Sequence, residues 1–277
     1  MRASPVILVG MHRSGTSVTM KALRDCGLFI GKHTTDLHCE ARFFRRTNDA
    51  VIQGAGGEWH CPEPAVEAIR DPARRAQMVE QINRMLDRRL ETQFLTSRQR
   101  LMVRLGIPFA WGFKDPRTCV TLPIWMERYP DAKVIHLIRH PLDVALSLQR
   151  REITRSAPSP REAPALNDLR RGLELWRLHD ACVREAWPTV RHGLEMRFEE
   201  ILDSPRACLA RLVEFCELGT SPGRIARVAG GFDTTRRGRY LDGIPEEALA
   251  MAASLPAAVE YGYHRDLRRA GAAAPSA

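Results

Sequence analysis

Three observations predict an α/β fold: four short β-rich runs sit between helical patterns, the first run opens into a glycine-marked turn, and a helical pattern follows that turn at once. The expected architecture is a three-layer fold of P-loop type, with a central, mostly parallel sheet flanked by helices. The β-rich runs are Val6–Val9, Trp111–Phe113, Lys133–Ile138 and Leu194–Phe198. Apolar periodicity and capping residues place helices near Ser17–Cys26, Arg42–Gln53, Pro72–Thr96, Thr118–Arg128, Leu142–Arg150, Ala165–Trp187, Pro205–Cys216 and Pro245–Glu260. In the third of these, Met78, Ile82, Met85, Leu86, Leu90 and Phe94 form one apolar stripe among charges. Core packing is its first reading and a homodimer face its second; the oligomeric state is left open.

The segment Ser156–Pro164 concentrates proline, serine and charge and reads as a mobile surface loop. Neither an internal repeat nor a dividing linker is visible, so a single domain is expected over 1–267, with a disordered tail over 268–277. With 44% hydrophobic and 27% charged residues the chain can bury one substantial core, which excludes disorder, collagen and repeat arrays. No stretch approaches the roughly 20 apolar residues of a membrane span. Val6–Val9 is too short for a signal-peptide core, and a cytoplasmic, soluble protein is expected. The seven cysteines are odd in number and lack CxxC spacing, which favours free thiols.

A net charge of +9 favours a polyanionic ligand: nucleic acid, an anionic membrane surface or a phosphorylated small molecule. Only four of the 42 basic residues are lysines, namely Lys21, Lys32, Lys114 and Lys133. In so arginine-rich a chain, a retained ammonium draws notice.

The strongest local signal is VILVGMHRSGTS, Val6 to Ser17. A strand running through a glycine turn into a helix aims successive N–H groups and the helix N-terminus at one spot, where an anion is held. The anion contacts expected here come from Arg13, Ser14, Gly15, Thr16 and Ser17. Nucleotide triphosphatases carry lysine where this chain has Thr16, and no apolar strand ends in a carboxylate suited to Mg²⁺. A triphosphate is therefore a poor fit, and Arg13 is the cation in the loop. The plain alternative is an ordinary glycine turn. GMHRSGTS resembles the 5′-phosphosulfate loop of sulfotransferases that use 3′-phosphoadenosine 5′-phosphosulfate (PAPS), among them bacterial enzymes related to the tyrosylprotein branch.

A second anion site reads from KVIHLIRHPLDVALS, Lys133 to Ser147, where Arg139 closes a strand and Ser147 lies about two turns into the next helix. Forked arginine bonds with one serine donor suit a phosphate. The pair resembles the family's 3′-phosphate motif, and Arg151, one turn on, resembles a basic residue of the tyrosylprotein branch. Between the two sites, GFKDPRT puts Lys114 at a strand end, on the edge where open α/β folds bind ligands. Its KDP tripeptide is similar to one in tyrosylprotein and bacterial sulfotransferases, which implies that Lys114 contacts the leaving phosphate oxygen and the transferred group. Asp115 and Arg117 are expected to pair with each other.

Sulfuryl transfer needs an acceptor oxygen in line, a base, and positive charge on the equatorial and leaving oxygens; no metal is expected. Glu40 in HCEAR is the first candidate base, by resemblance to the Glu-containing segment that follows the phosphate loop in those enzymes. His38 and His33 in the same loop are rivals, since imidazole titrates near pH 6.5. The pairs His38–Cys39 and His60–Cys61 lack the ladder spacing of a zinc site. Toward the C-terminus, MRFEEILDSP resembles the family's YEDL segment with Phe198 in place of tyrosine, a ring able to line a nucleotide pocket. Thr234–Leu241, TTRRGRYL, resembles the basic strip closing over the 3′-phosphate and adenine, and EYGY, Glu260–Tyr263, resembles the family's C-terminal end. The resemblance implies a PAPS-dependent sulfotransferase acting on a carbohydrate, lipid, peptide or small-metabolite hydroxyl, with acceptor choice carried by Arg150–Leu166 and Ile52–Asp71. The competing readings are a P-loop phosphotransferase using ATP and Mg²⁺ and a basic nucleic-acid-binding protein; no stacked aromatic motif or helix-turn-helix supports the second.

Overall fold

The computed structural model describes residues 4–35, 38–153, 166, 168–236 and 244–263. Four strands, Val6–Val9 (β1), Gly112–Lys114 (β2), Lys133–Ile138 (β3) and His192–Arg197 (β4), form one sheet in the order β2-β1-β3-β4, with every neighbouring pair parallel. Parallel strands need crossovers, and these are helical: Thr16–Asp25 (α1), Arg42–Gly54 (α2), Glu63–Arg70 (α3), Pro72–Gln93 (α4), Ser97–Arg104 (α5), Thr118–Arg128 (α6), Pro141–Ile153 (α7) and Leu169–Ala186 (α8). After β4 come Phe198–Asp203 (α9), Pro205–Phe215 (α10), Pro222–Ala229 (α11), Glu246–Ala253 (α12) and Pro256–Glu260 (α13).

Strands β1, β2 and β3 are buried on both faces while the edge strand β4 leaves residues such as Glu195 exposed, and the strand period of two shares β1 between two cores. Val6 and Leu8 pack with Met20, Leu23, Ile135 and Leu212, on the side of α1 and α10. Ile7 and Val9 pack with Phe44, Phe113, Trp125 and Val134, on the side of α2 and α6. A third cluster joins Met11 and Ile138, just past the carboxyl ends of β1 and β3, to Leu148, Trp176, Ala258 and Tyr263. The chain leaves β1 for β2 on one side and returns to β3 on the other. A crevice therefore opens at the carboxyl edge between β1 and β3, where such sheets bind ligands.

Several boundaries differ from the sequence reading. β2 extends to Lys114, and β4 ends at Arg197 because Phe198 starts α9. The single helix expected over Pro245–Glu260 is two, since Pro256 offers no N–H to continue α12 and begins α13 instead. Ile52–Asp71, read as a loop, contains the two turns of α3. The short helices α5, α9 and α11 also escape sequence periodicity. The apolar stripe of α4 belongs to the core: Ile82, Leu86 and Phe94 are buried, and Met78 and Leu90 pack on the same cluster. The expected loop 156–164, most of the basic strip 234–241 and the tail 268–277 lie outside the described residues. Among the described residues no helix is long and apolar enough to cross a membrane. All seven cysteines are free.

His179 on α8 is buried, with Nδ1 donating to the Leu175 carbonyl at 2.9 Å, and burial lowers the imidazole to about 4. Such a group is neutral in the folded chain at a pH where the unfolded chain already takes up a proton. Its contribution to stability is complete above about pH 6.5 and is drawn down as pH falls toward 4. Urea unfolding at pH 7 and pH 5 should show the wild-type chain losing about 2 kcal/mol more than His179→Gln. Equal losses would mean that the folded imidazole titrates normally.

Candidate active site

The turn after β1 is shaped by close approach. A Cβ on Gly10 would lie 2.4 Å from the Leu137 carbonyl oxygen and 2.9 Å from Thr16 Cγ2, so the turn can pass between β3 and α1 only without a side chain. Gly15 has φ +86 and caps α1, and a Cβ there would meet the Phe198 ring at 2.3 Å. Arg13 is held at φ 72, a left-handed conformation that costs energy outside glycine and is found at ligand-binding turns. Ser14 and Thr16 are buried, and Thr16 opens α1, so the first turn of a helix faces the crevice.

Beside that turn, Lys114 ends β2 with a side chain only 1% exposed. Its Nζ donates to Glu40 Oε1 at 3.1 Å and to Ser17 Oγ at 3.2 Å. Glu40 is delivered by a tight excursion of the chain. Thr34 pairs antiparallel with Ala41, the Thr35 N–H donates to the Glu40 carbonyl at 2.9 Å, and the Glu40 N–H donates to Thr35 Oγ1 at 3.2 Å. Cys39 takes φ 50 to turn the corner before α2. His38 lies beside this pair: burial lowers its imidazole, the Glu40 carboxylate raises it, and Lys114 lowers it again. His33 is exposed instead, lining a surface pocket of about 240 Å³ with Lys32, Arg42 and Arg46.

The turn after Lys114 is clipped by Asn48 of α2, a residue that sequence reasoning missed. Its Nδ2 donates to Asp115 Oδ2 (2.9 Å) and Thr118 Oγ1 (3.0 Å), and its Oδ1 accepts from Thr121 Oγ1 (2.8 Å) and Trp125 Nε1 (2.9 Å). The signal was present as a polar residue on the apolar face formed by Phe44, Val51 and Ile52. Arg117 pairs with Asp115 at 2.9 Å, as expected, and also with Asp49. Burial nonetheless raises the Asp115 carboxyl, against the pull of Arg117.

Across the turn, Arg139 leaves β3 and folds back, with Nη1 donating to the Arg13 carbonyl at 3.0 Å and Nη2 to Asp143 Oδ2 at 3.1 Å. Its guanidinium carbon stands 5.5 Å from the centre of the Phe198 ring, the same ring that lies beneath Gly15. Arg13 Nε donates to Ser147 Oγ at 2.8 Å. The sequence-marked residues thus gather as two groups flanking the helix start, Glu40–Lys114–Ser17 on one side and Arg13–Arg139–Ser147 on the other. Arg151 faces the Trp59 ring at 5.6 Å, and Trp59 packs on His12 of the loop at 4.6 Å between ring centres. Burial, with Arg117 next, lowers His12 well below its ordinary value and keeps it neutral. Trp59 was not singled out from the sequence; it brings the segment 52–71 onto the phosphate loop. Among the described residues, no three His, Cys, Asp or Glu side chains gather as a metal set.

The sequence profile of the sulfotransferase family matches residues 5–222, which include both groups. The fold is similar to that of the sulfotransferase domain from the Synechococcus PCC 7002 olefin synthase, at 16% identity and a TM-score of 0.56, covering 90% of this chain and 93% of that one. It is also similar to sulfotransferase STF1 from Mycobacterium tuberculosis H37Rv, at 14% identity and a TM-score of 0.51, covering 91% of this chain and 77% of that one. No curated protein matches the sequence.

Asn48→Ala would leave buried partners on Asp115, Thr118, Thr121 and Trp125 unmatched, and should cost about 3 kcal/mol of unfolding free energy in urea titration. A loss below about 1 kcal/mol would show that the clip is not needed to hold the turn.

Proposed function

The chain belongs to the sulfotransferase family, and from that premise we propose that it moves the sulfuryl group of PAPS to an acceptor hydroxyl by in-line transfer. The observation that carries this reading is the contact of one buried ammonium, Lys114, with both Glu40 and Ser17. A proton acceptor and a cation for the leaving oxygen are thereby held in one hydrogen-bonded set, beside a helix start suited to an anion.

In this reading the Gly10–Ser17 loop grips the 5′-phosphosulfate through Ser14, Gly15, Thr16 and Ser17. Arg139 and Ser147 take the 3′-phosphate, with Arg151 beyond them. The donor set fits such a molecule, since Arg139 is buried yet aimed at the loop, and Gly15, lacking a Cβ, lets the Phe198 ring support the turn from beneath. Glu40 takes the proton of the acceptor hydroxyl as its oxygen bonds to sulfur. The sulfur–oxygen bond to the 5′-phosphate breaks, and Lys114 with Arg13 neutralises the charge left on that oxygen and on the sulfuryl group. The products are a sulfate ester and adenosine 3′,5′-bisphosphate. In this proposal the segment 52–71, brought onto the phosphate loop by Trp59 packed on His12, is the reader of the acceptor, whose class spans carbohydrate, lipid, peptide and small-metabolite hydroxyls. The unpaired cysteines suit a cytoplasmic setting.

Calorimetry on the full chain should show tighter binding of adenosine 3′,5′-bisphosphate than of ATP·Mg²⁺; the opposite preference would replace sulfuryl by phosphoryl transfer. With a labelled donor and a screened acceptor, Lys114→Ala should lower kcat by about a hundredfold or more. Glu40→Gln should lower it by roughly 10²–10⁴, the usual worth of a general base. Full activity in Glu40→Gln would pass the proton to His38.

A further inference from the structure

The peptide unit joining Arg139 to His140 is held from both edges. Its carbonyl oxygen accepts from Trp176 Nε1 at 2.9 Å, and its N–H donates to Glu199 Oε1 at 2.9 Å. A trans peptide is planar with C=O and N–H on opposite sides, so fixing both fixes the plane and the direction in which the Arg139 side chain departs. The other Glu199 oxygen accepts from the Tyr263 hydroxyl at 2.8 Å. Burial pushes that hydroxyl well above its ordinary value, so it stays a donor, and burial also raises the Glu199 carboxyl.

Tyr263 reaches Glu199 through a Schellman turn. Gly262 at φ +80 ends α13, its N–H donating to the Val259 carbonyl at 3.0 Å, and the Tyr263 N–H donates to the Ala258 carbonyl at 2.8 Å. The turn drives Tyr263 inward to 1% exposure, with its ring 4.9 Å from that of His140. Tyr263 and its turn lie about forty residues past the end of the segment matched by the family profile, at residue 222, while His140 and Glu199 lie within it.

We propose that Glu199 and Tyr263 are positioning residues for the donor: the C-terminal turn locks Glu199, Glu199 locks the Arg139–His140 peptide, and the locked peptide aims Arg139 at the 3′-phosphate. This inference rests on the assignment of Arg139 to the 3′-phosphate made above. It separates Tyr263 from a mere packing residue, because its hydroxyl then matters only for ligands that carry a 3′-phosphate.

The test is calorimetry on the full chain with adenosine 3′,5′-bisphosphate and with adenosine 5′-monophosphate, which lacks the 3′-phosphate. Tyr263→Phe and Glu199→Ala should weaken the bisphosphate by about tenfold while the monophosphate stays within about twofold. Glu199→Gln keeps an oxygen for the His140 N–H and should restore most of the loss. The monophosphate arm doubles as the control for folding. Equal weakening of both nucleotides, or no weakening of either, would overturn the inference. A wild-type chain that fails to prefer the bisphosphate would overturn the donor assignment itself, and this inference with it.

Discussion

An ammonium with 1% exposure cannot be left without a counter-charge, and the site is organised around meeting that demand for Lys114. Standing at the end of β2, Lys114 draws its partners from two other places: the excursion that presents Glu40, and the second residue of α1. Parallel pairing makes the meeting possible, because β1 and β2 are in register with Leu8 opposite Lys114 and both strands finish at the same edge. Removing one partner of a buried pair leaves the other charge uncompensated, which costs about 3–5 kcal/mol in comparable cases. Substitution of Glu40 therefore bears on the integrity of this edge as well as on proton transfer.

The opposite side of the crevice is built on one aromatic ring. Phe198 lies beneath Gly15 and faces the Arg139 guanidinium, so the first residue of α9 supports both the phosphate turn and the arginine across from it. The next residue, Glu199, holds the backbone that carries Arg139. Where the family's YEDL segment has tyrosine, the ring alone meets the packing requirement in this chain. The loop is tied to this side by Arg13, whose backbone accepts from Arg139 and whose side chain donates to Ser147.

Much of this arrangement was legible in the sequence because it is local. VILV is a continuous apolar run and KVIHLI is one broken only by Lys133 and His136, as suits strands covered on both faces, and both fell within the observed bounds. The loop glycines, Lys114 at a strand end and Arg139 at another could be placed from the residues beside them. What escaped was set by distance or by brevity. Asn48 meets partners 67 to 77 positions away, and Glu199 meets Tyr263 across 64, so no neighbouring residue announces either pairing. The helix Glu63–Arg70 has only two turns and follows a proline, too little periodicity to separate it from a loop. The cation–π contact of Arg151 with Trp59 likewise has no signature in spacing.

A crystal structure of the full chain with adenosine 3′,5′-bisphosphate would test most directly whether the two side-chain groups are the two ends of one donor site. The account requires the 5′-phosphate to accept from the N–H groups at the start of α1 and from Lys114 Nζ at about 2.7–3.2 Å, and the 3′-phosphate to meet Arg139 and Ser147. A nucleotide bound elsewhere, with Lys114 still closed on Glu40 and Arg139 turned wholly to Asp143, would contradict it.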